Sequence, residues 1–108
     1  MQPYEVGTVD DLWARSVRGD RLQVHHVPQA HPAGQVIPGY DPSKAPGIAL
    51  PDYEHQALPN LRGLYTGRTR DLVARDLWNL RKHTGAPNST LLNLLTLIRQ
   101  MYPGALSK

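Results

Sequence analysis

A chain of 108 residues, of which 40% are hydrophobic, has room for one modest core, so a single domain spanning residues 1–108 is expected. Cysteine is absent, which excludes disulfide frameworks, thiolate metal sites and cysteine nucleophiles and leaves His, carboxylate, amide and water as metal ligands. A formal charge of +3 suits a polyanionic partner without requiring one, and the longest apolar run, Leu91 to Ile98, falls far short of the ~20 residues that a membrane-spanning helix needs.

Ten prolines and nine glycines point to many turns, and with no phenylalanine the aromatic packing falls to Trp13, Trp78 and the tyrosines. The first element reads as a short helix with Thr8 as N-cap, Asp10 and Asp11 in its first turn, and Leu12 and Trp13 buried; Gly19 and Asp20 end it. Leu22 to Val27 reads as a short strand closed by Pro28, which has no N–H for a ladder. Gln29 to Pro46 is rich in Pro and Gly and lacks an apolar period, so a long ordered loop is expected there.

Gly47 to Leu50 is a second brief strand, and Pro51 as first helical residue opens a short helix that carries His55. A longer helix is expected from Thr69 to His83, with Val73, Leu77 and Leu80 at helical spacing and Gly85 and Pro87 as its stop. The last helix starts at Asn88 or Ser89, gathers Leu91, Leu94, Leu95, Ile98, Met101 and Tyr102 on one face, and ends at Pro103 and Gly104. The fold class is therefore α+β, with a short N-terminal helix, a strand–strand–helix unit at about residues 22–58 and two longer C-terminal packing helices.

Candidate chemistry centres on His25, His26 and His55, because histidine both ligates a divalent metal as a neutral imidazole and accepts a proton near pH 7. Neighbours in a regular strand point to opposite faces, but Pro28 puts this pair at a strand end, where twist or a bulge would turn both rings toward one cleft. The helix of His55 would fold that side chain back over the first strand. Nine of the twelve Lys and Arg lie from Lys44 onward, and Arg62, Arg68, Arg70, Arg75, Arg81 and Lys82 are crowded together. Of these, Arg62, Arg68 and Arg70 are the candidates for nucleic-acid contact. His31 is expected to be solvent-exposed or locally hydrogen-bonded, His83 to sit at a helix C-terminus where a cation suits the dipole, and Tyr40 and Tyr65 to serve in aromatic packing.

The string Leu22-Gln23-Val24-His25-His26-Val27-Pro28-Gln29, followed by Gly47-Ile48-Ala49-Leu50-Pro51 and Glu54-His55, resembles the HNH/endonuclease VII superfamily. The likeness is greatest to the His-His nuclease domains at the C-termini of bacterial polymorphic toxins. It implies a ββα-metal core in which His25 and His55 are metal ligands and His26 is the catalytic general base. One divalent ion is implied, with magnesium (Mg2+), manganese (Mn2+), nickel (Ni2+) and zinc (Zn2+) all open. No Asn occupies the middle position of the H-N-H pattern, and the third ligand is open among Asp52, Glu54, His83, His31 and water. Glu54 is alternatively an outer partner of His55.

The function implied is a metal-dependent endonuclease that hydrolyses phosphodiester bonds of DNA, or RNA, with little sequence specificity. It would be the toxic payload of a larger precursor, delivered as an antibacterial effector into the cytoplasm of a target bacterial cell and matched by a cognate immunity protein. The competing readings are a non-catalytic nucleic-acid-binding module with a structural metal, and a metal-independent ribonuclease using His26, which leaves His55 without a role.

Overall fold

A computed structural model describes residues Met1–Ser107 and forms an α+β domain with five α-helices and a three-stranded antiparallel sheet. In chain order the elements are β1 (Val6–Thr8), α1 (Val9–Ala14), β2 (Leu22–His26), α2 (Ala30–Val36), β3 (Pro46–Pro51), α3 (Asp52–Ala57), α4 (Thr69–His83) and α5 (Asn88–Met101), followed by a 3₁₀ turn at Ala105–Ser107. The sheet order β1-β3-β2 places β3 in the middle and leaves β2 on an edge.

The central strand explains how so small a chain makes a core. Every residue from Pro46 to Leu50 is buried, so β3 is covered on both faces. Ile48 and Leu50 face one way and pack with Val73, Leu80, Leu94 and Ile98 from α4 and α5. Gly47 and Ala49 face the other way, toward α1. Gly47 has no spare room: a Cβ there would lie 2.9 Å from Val9 Cγ2 and 3.2 Å from the His25 carbonyl oxygen. Val9 is fully buried and β-branched, so it cannot swing aside. Gly47→Ala is accordingly expected to destabilise the fold by about 1–3 kcal/mol, the usual cost of overpacking, read as a lower urea midpoint.

Three sequence expectations are corrected. The segment Gln29 to Pro46 is not all loop, because Ala30–Val36 forms α2. Pro32 does no harm in its first turn, where N–H groups lack intrahelical partners in any case, and Ala33 and Ile37 bury against Leu72 of α4. Trp13 is 51% exposed, whereas Val9 and Leu12 fill the buried face of α1. Finally, Pro51 is the N-cap of α3 rather than its first helical residue, and the short strand β1 went unread. The long helices α4 and α5 stand where the apolar period puts them, and α5 buries Leu91, Leu94 and Ile98.

Candidate active site

The register of β2 against β3 fixes the two neighbouring histidines. His25 pairs with Ile48 and His26 with Gly47 in an unbroken antiparallel ladder running from Leu22 to His26. No bulge intervenes, so the rings leave on opposite faces: His25 toward the side of Ile48, His26 toward α1. They nevertheless border one cavity of about 570 Å³, because β2 is an edge strand and the cavity reaches both sides of it. Val24, Gln29, His31, His55, Asn60 and Arg62 complete most of its wall.

On the first face, α3 brings His55 back over β2 as expected from its position after Pro51. The rings of His25 and His55 meet edge to face with centroids 5.1 Å apart. His55 Nδ1 is hydrogen-bonded to Oε1 of Gln23, which lies two residues before His25 and so on the same strand face. His25 is only 6% exposed, and burial, followed by the neighbouring His55 and His26, pushes its pKa down to about 3. Burial also lowers the pKa of His55, with His26 adding to the effect. Both imidazoles are thus neutral at pH 7, the form that binds metal. Among the described residues Tyr40 Oη is the one fully buried side-chain polar atom without a partner, and no hydrogen bond involves the His25 ring. Its nitrogens are therefore open to the cavity that it lines.

On the second face, His26 Nε2 donates to the carbonyl oxygen of Pro42 at 3.0 Å, and its ring stands edge-on to Trp13 with centroids 6.2 Å apart. With the proton on Nε2, the lone pair is on Nδ1. Burial lowers the His26 pKa, partly opposed by the bond to Pro42, so this ring too is neutral at pH 7.

The far wall of the cavity is a loop clamped by side chains of and before α2. Gln29 uses every polar group it has. Its backbone N–H donates to Asp76 Oδ2 at 2.7 Å, its Nε2 to the Pro59 carbonyl and to Asp76 Oδ1, and its Oε1 accepts from Leu61 N–H. Asp76 is 1% exposed, and burial raises its pKa against the opposing hydrogen bonds from Gln29. His31 Nε2 and Gln35 Nε2 both reach the Gly63 carbonyl at 2.9 Å, and Gln35 Oε1 accepts from Tyr65 N–H. Arg62 is held on this loop at the cavity wall, with no ion-pair partner among the described residues.

The other expected site residues lie elsewhere. Arg68 and Arg70 do not line the cavity and share Asp71, at 3.0 and 3.8 Å. Asp52 faces Arg21 at 3.7 Å. The Glu54 carboxylate is taken by the Tyr4 hydroxyl, at 2.9 Å, and by the Gly85 N–H, so it ties α3 to the N-terminal segment and to the connection between α4 and α5 instead of facing His55. His83 is exposed in the last turn of α4. Of the third-ligand candidates only His31 reaches the cavity. Gln23, Gln29 and Asp76 were not singled out from sequence; Gln23 alone carried a signal, its place two residues from His25.

The burial of His25 has a measurable consequence for the metal-free protein. Between pH 3 and 6.5 the unfolded chain protonates this residue and the native state does not. Stability is therefore lost as pH falls through that window, by about 1.4 kcal/mol per unit while the two states differ by one proton, and is unaffected above it. Asp76, with a raised pKa, acts in the opposite sense and is common to wild type and variant. His25→Leu is expected to make the pH dependence of urea unfolding between about pH 4 and pH 7 shallower, with the lowered pKa values of His26 and His55 leaving a residual slope of the same sign. Parallel wild-type and variant curves would mean that His25 is charged in the native state.

Among the described residues no helix is long and apolar enough to cross a membrane. In comparisons with known proteins, no protein-family profile, curated protein or solved structure matches the chain.

Proposed function

We propose that the chain is a metal-dependent endonuclease domain of the HNH type that hydrolyses phosphodiester bonds of DNA with little sequence specificity. The observation that carries this reading is the pairing of two unlike histidine environments across one edge strand. His26 is anchored through Nε2 by a backbone carbonyl, while His25 and His55 face each other as neutral rings on the other side.

The donor set fits a divalent ion held by His25 and His55. Both are neutral imidazoles, and His55 is hydrogen-bonded through the nitrogen that would not ligate. No group of three His, Asp or Glu side chains is arranged to hold an ion among the described residues, so water and substrate phosphate would supply the remaining ligands. Such an ion, when bound, stabilises negative charge on the phosphate and on the departing 3′ oxygen. The chain's own residues do the rest. His26 Nδ1 accepts the proton of the attacking water, and the Pro42 carbonyl holds the ring in the tautomer that leaves that nitrogen free and stabilises the proton on Nε2. Arg62 neutralises a neighbouring phosphate from the clamped loop, a contact that positions the backbone without reading bases.

The payload role, a delivered effector acting in the cytoplasm of a target bacterium against which the producer carries an immunity protein, is proposed on the sequence resemblance. Incubation with supercoiled plasmid and with RNA, with and without a chelator, tests the enzymatic reading. Nicking of plasmid that needs Mg2+, Mn2+, Ni2+ or Zn2+ and stops with the chelator is expected. Binding without cleavage under every ion would leave a non-catalytic nucleic-acid module, and chelator-resistant cleavage of RNA alone a metal-independent ribonuclease.

A further inference from the structure

Gln23 is exposed on the edge strand β2, where a glutamine amide would ordinarily be left to water. Instead its Oε1 meets Nδ1 of His55, 32 positions along the chain. The pairing is set by the fold: Gln23 and His25 share one face of β2, and α3 lays His55 over that face, its ring 5.1 Å from that of His25. An amide oxygen only accepts, so the nitrogen facing it must carry the proton and the lone pair of His55 is left on Nε2.

The geometry points to Gln23 as a positioning residue. Its amide oxygen holds His55 in the Nδ1–H tautomer and thereby makes Nε2 the nitrogen that is offered, beside His25, to a divalent cation. This rests on the metal-site reading above. The energetic reason is general: a ligating imidazole whose second nitrogen is fixed pays no cost for selecting its tautomer and ring orientation when the ion arrives, and loss of such an outer partner typically weakens metal affinity ~10–100-fold. Because Gln23 is exposed and fills no part of the core, its replacement leaves the fold in place.

The test combines two readouts on the full chain. Long-range ¹H–¹⁵N NMR of the metal-free protein reports which nitrogen of His55 is protonated, and calorimetric titration with Ni2+ and with Zn2+ reports affinity. Wild type and Gln23→Glu, which keeps an acceptor oxygen, are expected to show the Nδ1–H form and similar affinities. Gln23→Ala is expected to move His55 toward the Nε2–H form that an unconstrained histidine side chain favours and to bind each ion ~10–100-fold more weakly. An Nε2–H tautomer in wild type, as a rotated amide donating to Nδ1 would produce, overturns the proposal. So does a Gln23→Ala protein with unchanged tautomer and affinity. Absence of ion uptake by wild type, with the tautomer still following residue 23, overturns the metal reading alone and supports the positioning of His55.

Discussion

Replacing His26 by alanine is expected to lower the rate of plasmid nicking by ~10²–10⁴-fold, the range ordinarily contributed by a positioned general base. The ring is well placed for the task because its Nε2 is already committed to the Pro42 carbonyl, at 3.0 Å, which leaves Nδ1 to take a proton and a backbone dipole to stabilise the cation formed. Little stability should go with it. His26 is only partly buried, and its neighbour Trp13 is itself half exposed, so the melting temperature should stay close to that of wild type. Metal affinity should be unchanged, since His26 lies on the opposite face of β2 from His25 and His55. A His26→Ala protein that nicks at the wild-type rate would remove this residue from the chemistry.

Replacing His55 by alanine should have the complementary signature, losing ion affinity and activity together. The expected fall in affinity exceeds the ~10–100-fold that loss of an outer partner costs, because a direct donor is removed from a site where this chain supplies few. His55 sits on a short helix whose residues are all at least partly exposed, so the fold should survive the change. His25 is less clean as a probe of binding alone, because the residue is only 6% exposed and truncation leaves a void as well as a missing ligand. Read together, the two variants separate roles: rate without affinity for His26, affinity and rate for His55. If His55→Ala bound Ni2+ or Zn2+ as tightly as wild type, the ion would have to sit elsewhere.

What could be read from the sequence follows the length scale of the interaction. Helices α4 and α5 are legible because Val73 and Leu80, and Leu91, Leu94 and Ile98, repeat over several turns, and Pro87 and Pro103 punctuate them. Strands β2 and β3 are legible from short β-branched and aliphatic runs beside prolines. By contrast β1 is too short to show a period, and α2 contains both Pro32 and Gly34, which argue against a helix until Ala33 and Ile37 are seen packed on Leu72. The exposure of Trp13 follows from the same cause, for only the docking of α1 on the sheet decides that Val9 and Leu12 are its buried residues.

The site divides in the same way. The approach of His55 to His25 follows from a strand–strand–helix order that is visible in the chain. The anchoring of His26 by Pro42, the Gln29–Asp76 clamp and the placement of Arg62, but not Arg68 or Arg70, at the cavity depend on loops that carry no periodic signal. Glu54 is the instructive case. Adjacent to His55 in sequence, it projects from a different side of α3 and is used up by Tyr4 and Gly85, since neighbours on a helix do not share a face.

The most direct measurement is a crystal structure of the protein soaked with Ni2+ or Zn2+, with the ion located by anomalous scattering. A single ion within about 2.0–2.2 Å of one nitrogen of His25 and of Nε2 of His55 is expected. An ion bound only at other residues, or none at millimolar metal, would contradict the proposal that these two histidines form the metal centre of a nuclease.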